Sequence, residues 1–133
     1  MTVVSLPASL RGVFPPARWD VTKLWTLDTE AEEVPTAELW WCLELCVWPS
    51  APPERLFDLS PSEVLREPER YPRSMARIFA ADLSYPLELY DYRGRFVLID
   101  GYHRLARLRL EGASRALVRR HPASIMKDIA RDP

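Results

Sequence analysis

The chain is poor in cysteine, histidine, lysine and glycine, and each shortage closes a class of explanation. Its two cysteines, Cys42 and Cys46, stand in a C-x3-C spacing inside WWCLELCVW. On a strand they would share a face yet lie too far apart along one chain to bridge easily, so no disulfide framework is expected. Only two histidines, His103 and His121, remain to complete a zinc site, so a structural metal is not expected either. No apolar stretch approaches the ~20 residues of a membrane span. The opening MTVVSLPASLRG lacks the basic lead and long apolar stretch of a signal peptide. These shortages together predict a reducing, cytoplasmic home and no membrane partner.

What is present is enough for one domain. At 133 residues, 47% hydrophobic and 28% charged, the chain has the balance of a soluble globular protein with a real core. The net charge of −1 hides a division. Residues 1–92 hold 8 basic and 15 acidic side chains, a balance of −7; residues 93–133 hold 10 basic and 4 acidic, a balance of +6. Arginine outnumbers lysine 16 to 2, so the positive half is built from planar groups suited to phosphates and carboxylates. A solvated basic face is the plainer reading of the same bias.

Thirteen prolines against four glycines divide the chain with stiff breaks. Residues 1–30 read as an N-terminal arm, in which Asp20 caps a short helix through VTKLWTL and offers Trp19, Leu24 and Trp25 to the core. In EVPTAELWWCLELCV (33–47) the alternation of Trp41, Leu43, Leu45 and Val47 predicts a strand at its start; the ELWWCLEL part also suits a buried helical turn. PSAPPER (49–55) is a proline loop. Ser60-Pro61-Ser62-Glu63 is a capping box with proline at the first helical position, opening a helix to about Glu67. A second helix is expected from Pro72 to Ala81, with Met75, Ile78 and Phe79 on its apolar stripe. LELYDY, Arg93-Gly94 and RFVLID then form a hairpin. A helix comes next, from Asp100, at its cap, to Gly112, with Tyr102, Leu105, Ala106 and Leu110 inward. ALVRR (116–120) is a last strand, and 122–133 a capped helix or tail.

The chemistry concentrates where the hairpin runs into that helix. The first amides of a helix have no intrahelical partner and carry the positive end of its dipole. Gly101 lets a ligand approach this backbone, while Tyr102, His103, Arg104 and, one turn on, Arg107 surround it, the arrangement of a phosphate site. Asp100 and Gly101 equally suit an ordinary cap and turn. Two cations in a first helical turn oppose the dipole, and an anionic ligand explains them. Glu44, set among Trp40, Cys42, Cys46 and Trp48 on its face of a strand, is the candidate general base, because apolar surroundings raise a carboxylate pKa; an edge glutamate in water is the alternative. Glu38 and Glu54 are weaker versions of it. One of Arg119 and Arg120 should face the site. The five tryptophans, 19, 25, 40, 41 and 48, read as packing, since no basic residues interleave with them.

Residues 31–121, above all SYPLELYDYRGRFVLIDGYHRLARLRLEG, resemble the ParB/sulfiredoxin superfamily. The resemblance implies a small α+β nucleotide-binding domain: a mixed sheet with a β-hairpin and packed helices. Sulfiredoxins carry a catalytic cysteine where this chain has Tyr102, so sulfinic acid reduction is not implied. ParB segregation proteins carry a G-E-R-R-like motif and continue into DNA-binding domains; Gly101-Tyr102-His103-Arg104 departs from it. The free-serine kinase branch uses D-G-x-H-R, which Asp100, Gly101, His103 and Arg104 match. That branch implies a phosphotransferase moving a phosphoryl group from ATP or ADP to a hydroxyl of a small molecule such as a free amino acid. Gly101–Arg104 would hold the polyphosphate, with Arg107 extending the positive surface. His103 and Arg104 would stabilise the transferring group, Asp100 would orient Mg2+ or the acceptor hydroxyl, and Glu44 would take its proton. The other branch implies an accessory module binding nucleotide or nucleic acid. A −7 half opposes tight non-specific binding to DNA, which is the less favoured partner.

Overall fold

The computed structural model describes residues 10, 12–14, 19–51 and 57–131. Most of the arm before Trp19, most of the 49–55 loop, and Glu54 with it, lie outside the described residues. In chain order the elements are α1 (Val21–Trp25), β1 (Ala31–Pro35), 3-10 turns at Thr36–Glu38 and Trp40–Glu44, and α2 (Pro61–Arg66). After a 3-10 turn at Pro68–Arg70 come α3 (Pro72–Phe79), β2 (Leu87–Tyr92), β3 (Arg95–Asp100), α4 (Tyr102–Leu110) and β4 (Arg115–His121). A last 3-10 turn at Ala123–Ile125 leads into α5 (Met126–Ile129).

The fold is α+β, as the sequence predicts. The sheet order is β1-β4-β2-β3. β2 and β3 form the expected antiparallel hairpin, β1 pairs antiparallel with β4, and β4 runs parallel to β2. Parallel neighbours need a crossover, and β3 with α4 supplies it. Strand alternation then divides the side chains between two faces. Leu87, Leu89, Leu98, Ala116 and Val118 pack against Leu43, Val64, Ile78 and Leu105 from the 3-10 segment, α2, α3 and α4. Tyr90, Val97 and Ile99 face the other way, against Leu24 of α1 and Ile129 of α5. Asp20 caps α1 through Thr22, and its amide donates to the Ile129 carbonyl at 2.8 Å, tying α1 to α5. The capping box of α2 is formed in full, Ser60 Oγ accepting from the Glu63 amide while Glu63 reaches back to the Ser60 amide.

Several local expectations are corrected. The strand expected at the start of 33–47 ends at Pro35, and 3-10 turns through Glu44 replace the alternation, in line with the helical-turn reading of ELWWCLEL. β1 is an edge strand paired only with β4, so no neighbour offers a ladder to the residues after Pro35. Cys42 and Leu43, adjacent in sequence, are both buried, which a half-buried strand does not allow. α3 stops at Phe79, and both Phe79 and Leu110 are exposed. Arg107 accounts for Phe79: its guanidinium lies over that ring and donates to the Phe79 carbonyl. Trp25 is exposed rather than in the core. No helix among the described residues is long and apolar enough to cross a membrane.

Candidate functional site

β2 begins, β3 ends and α4 begins at one end of the sheet, and a cleft of about 880 Å³ opens there. That volume suits a small organic ligand. Its floor is a row across three strands. Glu88 on β2 is the register partner of Asp100 on β3 and of Arg119 on β4, and all three line the cleft. The pairing of β2 with β3 slips between Glu88 and Leu89, so Ile99 and Asp100 together oppose Glu88. Such a bulge re-aims side chains at a sheet end, and here it presents Asp100 to the same cleft as Glu88.

Asp100 is not the cap of α4. That position belongs to Gly101, whose φ of 115° lies in the left-handed region. A Cβ there would come within 2.8 Å of Leu87 Cδ2 and 3.1 Å of Arg104 Nη2, so both backbone and space require glycine. Asp100 Oδ2 instead accepts from Trp25 Nε1 at 2.9 Å and Arg104 Nη2 at 3.0 Å. Arg104 also donates to the Pro86 carbonyl at 2.6 Å, clamping the start of β2 to the end of β3. The guanidinium thereby fixes the shape of the floor while lining it.

His103 lies against Trp48, ring centroids 4.4 Å apart and planes at 18°. Burial, and then the nearby Arg77 guanidinium, lower its pKa to about 4, so the ring is neutral at physiological pH. The expectation of a cationic His103 is therefore corrected: the ring is neutral there. Arg77, at the exposed rim, is the lining cation with no ion-pair partner among the described residues. Tyr102 is largely buried and donates its hydroxyl to the Leu98 carbonyl at 2.7 Å. Burial holds that phenol far above its ordinary pKa, which removes it from acid–base work. In the unfolded chain His103 takes its proton near pH 6.5, and in the fold only near 4. Acidification through this window favours the unfolded chain, so the contribution of the neutral ring is full above pH 6.5 and falls toward pH 4. A proton NMR titration should place the His103 midpoint near 4, and His103→Phe should flatten the pH dependence of stability in that interval.

Beneath the cleft Glu88 joins a buried polar network. Its Oε2 accepts from His121 Nε2 at 2.9 Å, and Arg119 Nε lies 3.3 Å from the same oxygen, within ion-pair range though not aligned for a hydrogen bond. An ionised carboxylate only accepts, so Nε2 of His121 carries a hydrogen, and Nδ1 on the other side of the ring lies 2.8 Å from Thr29 Oγ1. Arg119 donates through Nη2 to the Leu24 carbonyl at 3.2 Å. His121 is completely buried and Glu88 almost so. These contacts hold Oε2 and leave Oε1 of Glu88 as the carboxylate oxygen for the cleft.

The structure thus brings Asp100, Gly101, Tyr102, His103 and Arg104 to one cavity, and leaves two expected members out. Glu44 is exposed at the end of its 3-10 turn, accepts from Ser62 Oγ at 2.6 Å, and does not line the cleft. With no strand there, its predicted apolar face does not exist. Arg107 points along the other side of α4, paired with Glu111 at 2.9 Å and bound to Phe79. Glu38 is also exposed. Of the arginine pair, Arg119 faces the cleft, while Arg120 pairs with Glu32 and lies over Phe96. Glu88, Arg77, His121, Trp25 and Trp48 were not singled out by motif. For Glu88 a signal exists: Glu88 and Tyr90 share a face of LELYDY, and Arg119 and His121 share a face of ALVRRH.

No group of three or more metal-ligating side chains occurs among the described residues. Asp100 and Glu88 line the cleft and each bonds through Oδ2 or Oε2 alone, so each lends the cleft at most one further carboxylate oxygen. This donor set fits Mg2+ carried by a ligand's phosphates, which keep most of its coordination shell, and does not fit a resident protein-held ion. Comparison of the chain with protein-family models, curated proteins and solved structures gives no match.

Proposed function

We propose that the cleft binds the phosphates of a nucleotide across the start of α4, and that the chain transfers a phosphoryl group from ATP or ADP to the hydroxyl of a small molecule. One observation carries this reading: the amide end of α4, the Arg77 cation and the buried Glu88 carboxylate converge on a single cavity of ligand size. The D-G-x-H-R resemblance at Asp100–Arg104 supports the same class. The amides of Tyr102 to Arg104 and the Arg77 guanidinium bind phosphate oxygens, and neutral His103 donates a further hydrogen bond. Glu88 takes the proton of the acceptor hydroxyl as its oxygen bonds to the terminal phosphorus and the bond to the leaving phosphate breaks. The His121 and Arg119 contacts hold Glu88 in position for that proton. Mg2+ on the phosphates, with Asp100 Oδ1 as a ligand, would neutralise their charge.

Duplex nucleic acid is the weaker reading. The cleft walls carry Arg77, Arg104 and Arg119 against Asp82, Glu88 and Asp100. Arg104 and Arg119 are already paired with Asp100 and Glu88, whereas non-specific DNA binding needs several uncompensated phosphate contacts.

Thermal unfolding with ATP, ADP and CTP, each with Mg2+, tests the binding step. A nucleotide at ~100 times its Kd should stabilise the fold by about 2.7 kcal/mol. Phosphorus NMR with hydroxyl acceptors then reads transfer. Absence of any shift with all three nucleotides would remove the reading.

A further inference from the structure

The two walls of the cleft differ in origin and chemistry. Arg77 and Asp82 stand on the α3 side of the sheet, while Trp19 and Trp25 stand on the α1 side. In α1 the sequence could have hidden its indole, as it hides Leu24, which has no exposed surface. Instead Trp25 is 56% exposed and lines the cleft. Its Nε1 donates to Asp100 Oδ2, and Asp100 is itself fixed by Arg104. A large apolar ring fixed by a chain of two hydrogen bonds, yet left facing a cavity, is a preorganised surface: it loses little conformational freedom when a second ring lies against it.

From this we infer that Trp25 is a stacking platform for a planar aromatic group of the ligand, the nucleobase of the nucleotide whose phosphates lie at the start of α4. The inference rests on the proposed nucleotide reading and extends it to the opposite wall. Trp25 belongs to the segment before β1, outside the stretch that resembles a known superfamily, so this chain supplies the base subsite from its own N-terminal arm. Because every base offers a π-face, Trp25 gives affinity for a base with little choice among bases.

Binding measurements separate the subsites. Wild type, Trp25→Ala and Trp25→Phe are titrated with the four ribonucleoside triphosphates, with inorganic tripolyphosphate and with adenosine, each in Mg2+, and melting curves confirm that each variant is folded. Wild type should bind at least one nucleotide about 10-fold or more tighter than tripolyphosphate, as expected when one base stacks on an aromatic ring. Trp25→Ala should erase that margin with tripolyphosphate affinity unchanged, and Trp25→Phe, which keeps a ring but not the Nε1 hydrogen bond to Asp100, should recover part of it. Equal loss of nucleotide and tripolyphosphate in Trp25→Ala, or no loss of either, overturns the stacking role while the phosphate site stands. Adenosine binding without tripolyphosphate binding, lost in Trp25→Ala, supports the platform and removes the phosphate site. No binding of any of these probes to wild type overturns both.

Discussion

Glu88→Ala should destabilise the fold by about 3–5 kcal/mol, because it leaves the Arg119 guanidinium charged in a site where its counterion is gone. Arg119 keeps only 12% of its side-chain surface in solvent and His121 none, so both lose a largely buried partner with the carboxylate. A lowered urea midpoint at unchanged slope would report this cost. Glu88→Gln separates structure from chemistry. The amide oxygen still accepts from His121 Nε2, and the side chain keeps its length, so this variant should fold and bind nucleotide yet lose phosphoryl transfer, since an amide takes no proton near neutral pH. A Glu88→Gln protein that transfers at the wild-type rate would exclude Glu88 as the base. Replacing the Glu88–Arg119 pair together by apolar residues of similar volume should recover much of the stability lost in Glu88→Ala, because neither charge is then left alone.

Gly101→Ala carries the second large effect. A residue with a side chain held at φ 115° costs on the order of 1–3 kcal/mol in backbone strain alone. The new methyl group would also press on Leu87, which is buried in the core, and on the Arg104 guanidinium that fixes Asp100. Relief of that contact moves the floor of the cleft, so nucleotide affinity should fall together with stability. Gly94→Ala is the control. Its φ of 79° is also left-handed, but a Cβ there meets nothing within 4 Å. Unfolding of both variants in urea should therefore show the larger loss in Gly101→Ala, and only that variant should lose nucleotide binding. Equal losses in the two would show that Gly101 matters for backbone conformation only.

The hairpin and the helix after it are legible because their signals are local. Two runs of strand-forming residues, LELYDY and RFVLID, with Arg93-Gly94 between them, match both strands to the residue, and the cap of α4 lies one residue beyond the expected one, at Gly101 in place of Asp100. WWCLELC misleads for a physical reason. Its bulky apolar residues satisfy a period of two, but a strand also needs a partner, and partnership is a long-range property that an edge strand ending at Pro35 does not provide. Glu44 is exposed for the same reason, since its burial requires a strand there. The Glu88 network is hidden by the same limit: a carboxylate between Leu87 and Leu89 acquires its partners only when β4 docks parallel to β2 in the register that sets Arg119 beside it. His103 was visible as a residue but not as a neutral one, because Trp48 reaches it from 55 positions away in sequence. Exposure of Trp25 could not be read at all, since α1 has only five residues and its orientation is set by α5 and Asp100.

The central claim is that phosphate binds at the start of α4, and backbone amide NMR tests it most directly. On titration with Mg2+ and ATP, or with the nucleotide that gives the largest thermal shift, the amides of Tyr102, His103 and Arg104 should move most, with Arg77 at the rim moving less. Inorganic tripolyphosphate should reproduce the shifts at α4. A nucleotide that binds while these amides stay still, or that moves a different surface, would contradict the claim.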